Sequence, residues 1–331
     1  MQLIVHFKTF AAMAVASAFA FAAAATVAQD YPTRAIRFIV PSSTGGPTDL
    51  LARLFADRLS KALNQPVVVE NMAGAGGHIG AQALARSAPD GYMLMIGSQN
   101  QMVVGPFLYH DLQYDVERDF APVAMLVRVP YMLVVTAKMP GNNLKELLAE
   151  IRSKPGRYNY ASSNGYGSTA HIGAEMLKRA AQIDIKHIPY KGAAPAINDL
   201  LGGDVHLLFS IPGAVTAHLK TGRLRSIAIA AQNRSGLLPD VPTFDEAGLP
   251  GFDVSSWYNL VTRAGVSTAI IARLNAEINH AIQQPELRAQ LQKLDAEPAG
   301  GSVAEINSFL QTEKAKWGKL IKEANITAEG S

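Results

Sequence analysis

Residues 36–63 begin Ile36-Arg37-Phe38-Ile39-Val40, continue Pro41-Ser42-Ser43-Thr44-Gly45-Gly46-Pro47-Thr48-Asp49, and run on amphipathically to Leu63. The first five are mostly apolar and β-branched, the composition of a buried strand. The last part carries Leu51, Leu54, Phe55, Leu59 and Leu63 at helical spacing, with Arg53, Asp57, Arg58 and Lys61 between them. Gly46 and Pro47 suit an N-cap and a first helical position, and Asp49 suits the first turn. A strand–turn–helix of this kind aims unpaired N–H groups, hydroxyls and the positive end of a helix dipole at one spot, where an anion such as a carboxylate can sit. Taken alone, the turn reads equally well as a tight connection whose glycines only relieve crowding. The chain repeats the device, and the repetition favours a site.

Outward from this unit, Val67-Val68-Val69 leads into Glu70-Asn71-Met72-Ala73-Gly74-Ala75-Gly76-Gly77-His78 and a helix. A strand at 93–96 ends in Gly97-Ser98-Gln99-Asn100, and apolar runs split by Pro130 carry the chain into a second unit. There a helix spans Leu144 to Ser153, and a strand at 158–161 enters Ser162-Ser163-Asn164-Gly165-Tyr166-Gly167-Ser168-Thr169, which opens a helix through His171 and Leu177. Strands at 185–188 and 205–209 end in Pro189-Tyr190-Lys191-Gly192 and Ser210-Ile211-Pro212-Gly213. Residues 254–262 read as a strand returning to the first unit, and the remainder is helical. Strands alternating with helices predict an α/β class with mostly parallel sheets. The crossings near Pro130 and Ser255 give a discontinuous first domain, 29–129 plus 255–331, and a second domain, 130–254.

In open α/β sheets ligands bind beyond the carboxyl ends of the strands. Small and polar residues gather there at 42–48, 71–78, 97–101, 162–169, 190–193 and 210–213, three turns per domain. Two domains facing across a cleft would close both sets on one ligand. The donors are N–H groups, hydroxyls and the amides of Gln99, Asn100 and Asn164. That inventory suits holding an oxyanion and is poor in acids and bases for reacting with it. His171, beside Ser168 and Thr169, reads either as a ligand contact or as packing. Lys191 could be a Schiff-base or phosphate lysine, though a lone lysine in a turn is more often a solvated charge, and Tyr190 could wall the ligand or pack on the sheet.

With 331 residues, 48% hydrophobic and 17% charged, the chain is globular and long enough for two cores. The net charge is +3 and the basic residues are scattered, so nucleic acid is not an expected partner. Residues 1–28 read as a secretory signal: Lys8 precedes an alanine-rich uncharged stretch, and Thr26-Val27-Ala28 offers a small-residue cleavage site. An uncleaved anchor is the alternative, disfavoured by the scarcity of Leu and Ile. Cysteine is absent, which excludes disulfides, thiolate metal sites and lipid attachment. The mature protein is therefore expected free in the periplasm, cleaved near Ala28.

Enzyme signatures are missing. There is no G-x-S-x-G, so the hydrolase nucleophile elbow is missing, and with no H-E-x-x-H and eight dispersed histidines a metal site has no sequence signal. Gly74, Gly76 and Gly80 follow a strand, but the third glycine is one place late for a dinucleotide fingerprint. Gly97-Ser98 stand where an acidic residue should end the next strand.

From Tyr31-Pro32 to about residue 326 the chain resembles the Bug family, the periplasmic solute receptors of tripartite tricarboxylate transporters. The resemblance is carried by Ile39-Val40-Pro41 with Gly45-Gly46-Pro47-Thr48-Asp49, by Val68-Val69-Glu70-Asn71 with Gly74-Ala75-Gly76-Gly77, and by Pro89-Asp90-Gly91-Tyr92. Further on come Pro189-Tyr190-Lys191-Gly192-Ala193-Ala194-Pro195-Ala196, Asp199-Leu200-Leu201-Gly202-Gly203 and Leu238-Pro239-Asp240-Val241-Pro242-Thr243. It implies a two-domain, type II-like periplasmic-binding-protein fold with the ligand shut between domains. It places the proximal carboxylate site on residues 43–48 and the facing contacts on 162–169 and 190–192. Ser42 replaces the family's usual aromatic, Met72-Ala73 replace a common basic-Pro pair, and Ser210 stands where members often carry Asp. The last change would favour a more acidic or less amine-bearing solute.

The candidate ligand-binding residues are therefore Ser43, Thr44, Gly45, Gly46, Thr48, Ser98, Gln99, Ser162, Ser163, Gly165, Ser168, Thr169, His171, Tyr190, Lys191, Gly192 and Ser210. The expected function is an extracytoplasmic receptor that captures a small mono- or dicarboxylate. It delivers the acid to membrane permease subunits as a cofactor-free monomer that performs no chemistry. Two rivals remain: a secreted nicotinamide-dependent enzyme using the Gly74–Gly80 turn, and a ligand-sensing partner of a membrane sensor kinase.

Overall fold

The computed structural model describes residues 31–109, 111–163, 165–190 and 192–323. The export segment 1–28, Asn164 and Lys191 lie outside the described residues. Two sheets organise the chain. The first holds β1 (Ile36–Val40), β2 (Val67–Asn71), β3 (Met93–Ser98), β4 (Phe120–Pro130), β10 (Ser255–Arg263) and β11 (Glu297–Pro298), in the order β11-β4-β10-β3-β1-β2. The second holds β5 (Met132–Thr136), β6 (Asn159–Ser162), β7 (Lys186–Pro189), β8 (Leu207–Ser210) and β9 (Leu224–Ile229), in the order β7-β6-β8-β5-β9.

The opening unit folds as its sequence dictates. Gly46 is an extended N-cap at φ −77°, Pro47 starts a helix over Pro47–Leu63, and Asn64 ends it in the left-handed region. Leu51, Phe55, Leu59 and Leu63 are buried on one face of that helix, each worth roughly 1.5–3 kcal/mol of apolar burial. They join a core with β1, β3, β4 and the Thr268–Ala281 helix. A second core on the other face of the first sheet includes Ala81, Leu84, Trp257 and Trp317. The second sheet has its own core, drawn from residues 132–254.

Both sheets are mixed, where mostly parallel sheets were expected. β1 runs parallel to β2 and β3, and β6 parallel to β7 and β8, as helical crossovers require. β10 is antiparallel to β3 and β4, and β5 is antiparallel to β8 and β9. The cause is the double crossing. The chain leaves the first sheet on β4, continues directly as β5, and returns on β10, so the returning strand must run against the outgoing one. Ser255 pairs with Pro130, and the Tyr131 N–H donates to the Val254 carbonyl at 3.0 Å, so the two crossings lie side by side.

The sheets also touch away from the crossings. Ile172, from the Thr169–Ala181 helix of the second sheet, is buried in the core that holds Trp257 and Leu108. Ser235 Oγ donates to Asp295 Oδ2 at 2.7 Å, and Arg179 donates to the Glu323 carbonyl at 3.0 Å. On the first side, the indole N–H groups of Trp257 and Trp317 both donate to Glu313 Oε2, at 2.8 and 2.7 Å, joining β10 to the Val303–Glu323 helix. Among the described residues no helix is long and apolar enough to cross a membrane.

Candidate functional site

Near the crossings Gln99, just past β3, meets Thr169, which opens the helix after β6. In the first turn, Ser43, Thr44 and Gly45 are exposed, and Thr48 is half-buried with its hydroxyl 3.4 Å from Tyr258 OH. Because Pro47 has no N–H, the outward donors of this helix end are those of Gly46, Thr48 and Asp49. Gly45 N–H is committed elsewhere: Asp49, 1% exposed, accepts it at 2.9 Å, together with Arg53 Nε at 3.0 Å and Asn71 Nδ2 at 2.9 Å. Burial alone would raise the Asp49 carboxyl, but the hydrogen bonds from Arg53, the Gly45 N–H and Asn71 pull it below the ordinary carboxylate range. Gly45 sits at φ +81°, which favours glycine. Gly46 has an ordinary φ, and a Cβ there would meet only the Ser43 carbonyl at 3.5 Å.

The glycines of the second turn serve packing. The Gly76 carbonyl accepts from Asn100 Nδ2 and Gln101 Nε2, both at 2.7 Å. A Cβ on Gly77 would collide with the Gln101 amide and come within 2.9 Å of the Pro41 carbonyl. This turn clamps the first turn to the third. In the third, Ser98 N–H and Oγ both donate to Gln101 Oε1, at 3.1 and 2.6 Å.

Gln99 is the meeting point. It is 3% exposed, its Oε1 accepts from Thr169 Oγ1 at 3.3 Å, and its Nε2 has no hydrogen-bond partner. Thr169 Oγ1 also lies 3.0 Å from Ser256 Oγ on β10. Tyr131, at the outgoing crossing, has Ser256 and Thr169 as hydrogen-bond partners, and burial raises its phenol. Burial raises the Tyr258 phenol in the same way. Thr48, Gln99 and Thr169 are thus brought together with Tyr131, Ser256 and Tyr258, three residues that were not expected. Their sequence signal was their position: each lies within four residues of Pro130 or Ser255.

On the second sheet several candidates turn inward. Ser168 caps the Thr169–Ala181 helix, accepting from His171 N–H at 3.3 Å and donating to the Gly165 carbonyl at 2.8 Å. Ser162 Oγ donates to the same carbonyl at 3.1 Å and lies 2.7 Å from His187 Nε2. His171 is buried with Nδ1 accepting the Gly167 N–H at 3.0 Å, and burial pushes its pKa down to about 4. Ser163 and Gly165 are half-buried. The Tyr190 hydroxyl donates to Asp199 Oδ2 at 2.5 Å; burial, then that bond, push its pKa up to about 12. Gly192 is the extended N-cap of the Ala193–Gly202 helix, and Ser210 is buried at the end of β8. Among the described residues no group of three or more His, Asp or Glu could hold a metal ion. A separate cavity of about 540 Å³, lined by Tyr109, Tyr114, Phe120, Glu117, Leu310 and Lys314, includes none of the expected site residues.

Neutral polar groups from both sheets thus meet beside the double crossing, at Gln99, Thr169 and Ser256. Residues 51–326 match the family described as "Tripartite tricarboxylate transporter family receptor". The chain belongs to that family. The receptor is similar to BugT of Bordetella pertussis, at 38% identity over 91% of this chain and 92% of that protein. Its fold matches a structure described as "R. palustris Rpa4515 with adipate", with a TM-score of 0.83 and 35% identity, covering 90% of this chain and 100% of the other. It also matches MatC of Rhodopseudomonas palustris with bound malate, with a TM-score of 0.77 and 33% identity, covering 88% and 100%. As a family receptor the protein is a two-domain α/β solute-binding protein serving transport.

Proposed function

We propose that this receptor captures a small mono- or dicarboxylate between its two sheets and hands it to the permease subunits of a tripartite transporter, with no chemistry and no cofactor. The observation that carries the reading is Gln99, bonded toward the second sheet by Oε1 while its buried Nε2 retains unused donors. A buried amide N–H without a partner costs stability unless something fills it, and a carboxylate oxygen is a fitting acceptor. The helix ends at Thr48 and Thr169 add N–H groups and favourable dipoles without a fixed cation. Adipate and malate in the related structures are acids of this class.

On this reading the lobes are 29–129 plus 255–331 and 130–254, swinging about the paired crossings. Ser43, Thr44, Gly46 and Thr48 face Ser163, Gly165, Tyr190, Gly192 and Ser210. The protein is exported, cleaved near Ala28, and works as a monomer in the periplasm.

Calorimetric titration with adipate, malate and a panel of other short acids tests it, alongside NAD. One or more acids should bind and NAD should not. Gln99→Leu should weaken the best acid by about tenfold to a hundredfold, the loss of one hydrogen bond to a charged group. NAD binding with no acid bound would overturn the reading.

A further inference from the structure

The second-sheet turn rests on a pair of histidines that the binding reading leaves without a role. The rings of His171 and His187 stack at 4.2 Å between centroids with 20° between planes. Tyr160 stacks on His187 at 4.9 Å, and Tyr166 sets its edge against both imidazoles, at 5.4 and 4.8 Å. Each imidazole holds one end of the turn. His171 Nδ1 accepts the Gly167 N–H, and His187 Nε2 meets the Ser162 hydroxyl, which itself donates to Gly165. These partners assign the tautomers. A nitrogen that accepts carries no proton, so His171 is protonated at Nε2. With the Ser162 hydrogen directed at Gly165, His187 must donate from Nε2, leaving its Nδ1 bare; that atom is buried without a partner.

We propose that His171 and His187 are positioning residues that hold the Ser162–Ser168 wall of the cleft only while uncharged, so that mild acid loosens this wall and with it the bound acid. A proton added to His171 must go to Nδ1, where it would face the Gly167 N–H, donor against donor. A proton added to His187 must also go to Nδ1, which has no acceptor. The charged groups around the pair do not relieve this. Lys178 opposes charge on both rings, and Glu175, which favours it on His187, already accepts from Tyr160 OH at 2.6 Å and Lys178 Nζ at 2.8 Å. Burial depresses both imidazoles, His171 to about 4 and His187, with His171 as a further cause, to about 3. Gly167 is the lever. A Cβ there would collide with Leu108, which lies in the core with Trp257 on the far face of the first sheet, so the turn that His171 pins is also where the second sheet meets the first.

The inference rests on the binding reading only in taking this turn as a ligand wall, so its test needs no ligand. In the full-length protein, nitrogen-15 NMR of the imidazoles at pH 7.5 should show Nδ1 bare and Nε2 protonated in both. The Gly167 amide should lose hydrogen-exchange protection below about pH 6, by about tenfold per pH unit for each proton taken up on opening. His171→Asn, whose Oδ1 can replace Nδ1 as acceptor, should halve the logarithmic slope, and adding His187→Gln should flatten it. A protonated His171 Nδ1 at pH 7.5, or pH-independent Gly167 protection in the wild type, would overturn the proposal. So would an equal loss at amides throughout both sheets, which reports global unfolding. Failure of every carboxylate to bind would leave these readouts standing and strike the receptor reading instead.

Discussion

The turn after β1 and the turn after β6 are the same device, a strand running through glycine and serine into a helix, yet they are braced by opposite chemistry. Behind the first stands a buried carboxylate, Asp49, kept ionised by Arg53, Asn71 and the Gly45 N–H. Behind the second stands a stack of neutral rings, with one imidazole nitrogen as acceptor for the Gly167 N–H. Both solve the same problem, a turn N–H that needs a partner without taking up the ligand's place. They differ in what removes the brace: strong acid for the first, mild acid for the second.

The largest expected effect separates them by pH. The folded pKa of His171, about 4, lies below the ordinary 6.5, so the unfolded chain binds the extra proton. Stability is then full above pH 6.5 and falls as the pH drops toward 4, by up to about 3 kcal/mol from this residue. Denaturant unfolding from pH 7.5 to 4, compared between wild type and His171→Asn, measures it. Parallel curves for the two proteins would break the contrast. Asp49 contributes in the same direction but only below the ordinary carboxylate range, because its pKa is lowered.

Next in size is the first brace itself. Asp49→Ala leaves the Gly45 N–H, Arg53 and Asn71 without their acceptor and should cost about 2 kcal/mol at neutral pH, read from the same unfolding curves. A loss that vanishes at pH 7.5 would mean that the carboxylate holds nothing. Smaller still is Gly45→Ala, about 1 kcal/mol, because φ +81° is strained for any side chain although the space is open. The smallest is Gly46→Ala, within about 0.5 kcal/mol because its backbone is ordinary. If Gly46→Ala keeps its stability but loses carboxylate affinity, the ligand approaches the backbone there. Unchanged affinity would move the site away from this residue.

Much of this was legible in the chain. The period of Leu51, Phe55, Leu59 and Leu63, with Gly46 and Pro47 before them, fixes a helix and its start by local rules alone. Pro130 and the apolar run after Ser255 marked the crossings. Strand direction was not legible, because it depends on which strands become neighbours. Asp49 read as a dipole partner, while its three hydrogen bonds require Asn71, 22 residues away, to arrive through the β1–β2 pairing. His171 read as a ligand contact or as packing from its place beside Ser168 and Thr169, and its stacking on His187 depends on β7 being brought to the helix by the fold. The Gly74–Gly80 turn misses the dinucleotide fingerprint by one place in the sequence, but its packing against Gln101 and Pro41 emerges only when the fold brings those residues to it.

The joint at Glu313 has a practical consequence. The sequence holds two tryptophans, Trp257 and Trp317, and both place their indole N–H on one carboxylate oxygen. The protein's entire tryptophan emission therefore originates at a single spot, where the returning strand meets the C-terminal helix. A fluorescence titration listens to that joint alone and carries no tryptophan signal from the second sheet. A ligand that rearranges the histidine turn without disturbing Glu313 would be spectroscopically silent, and an aromatic reporter placed near Tyr166 would hear it.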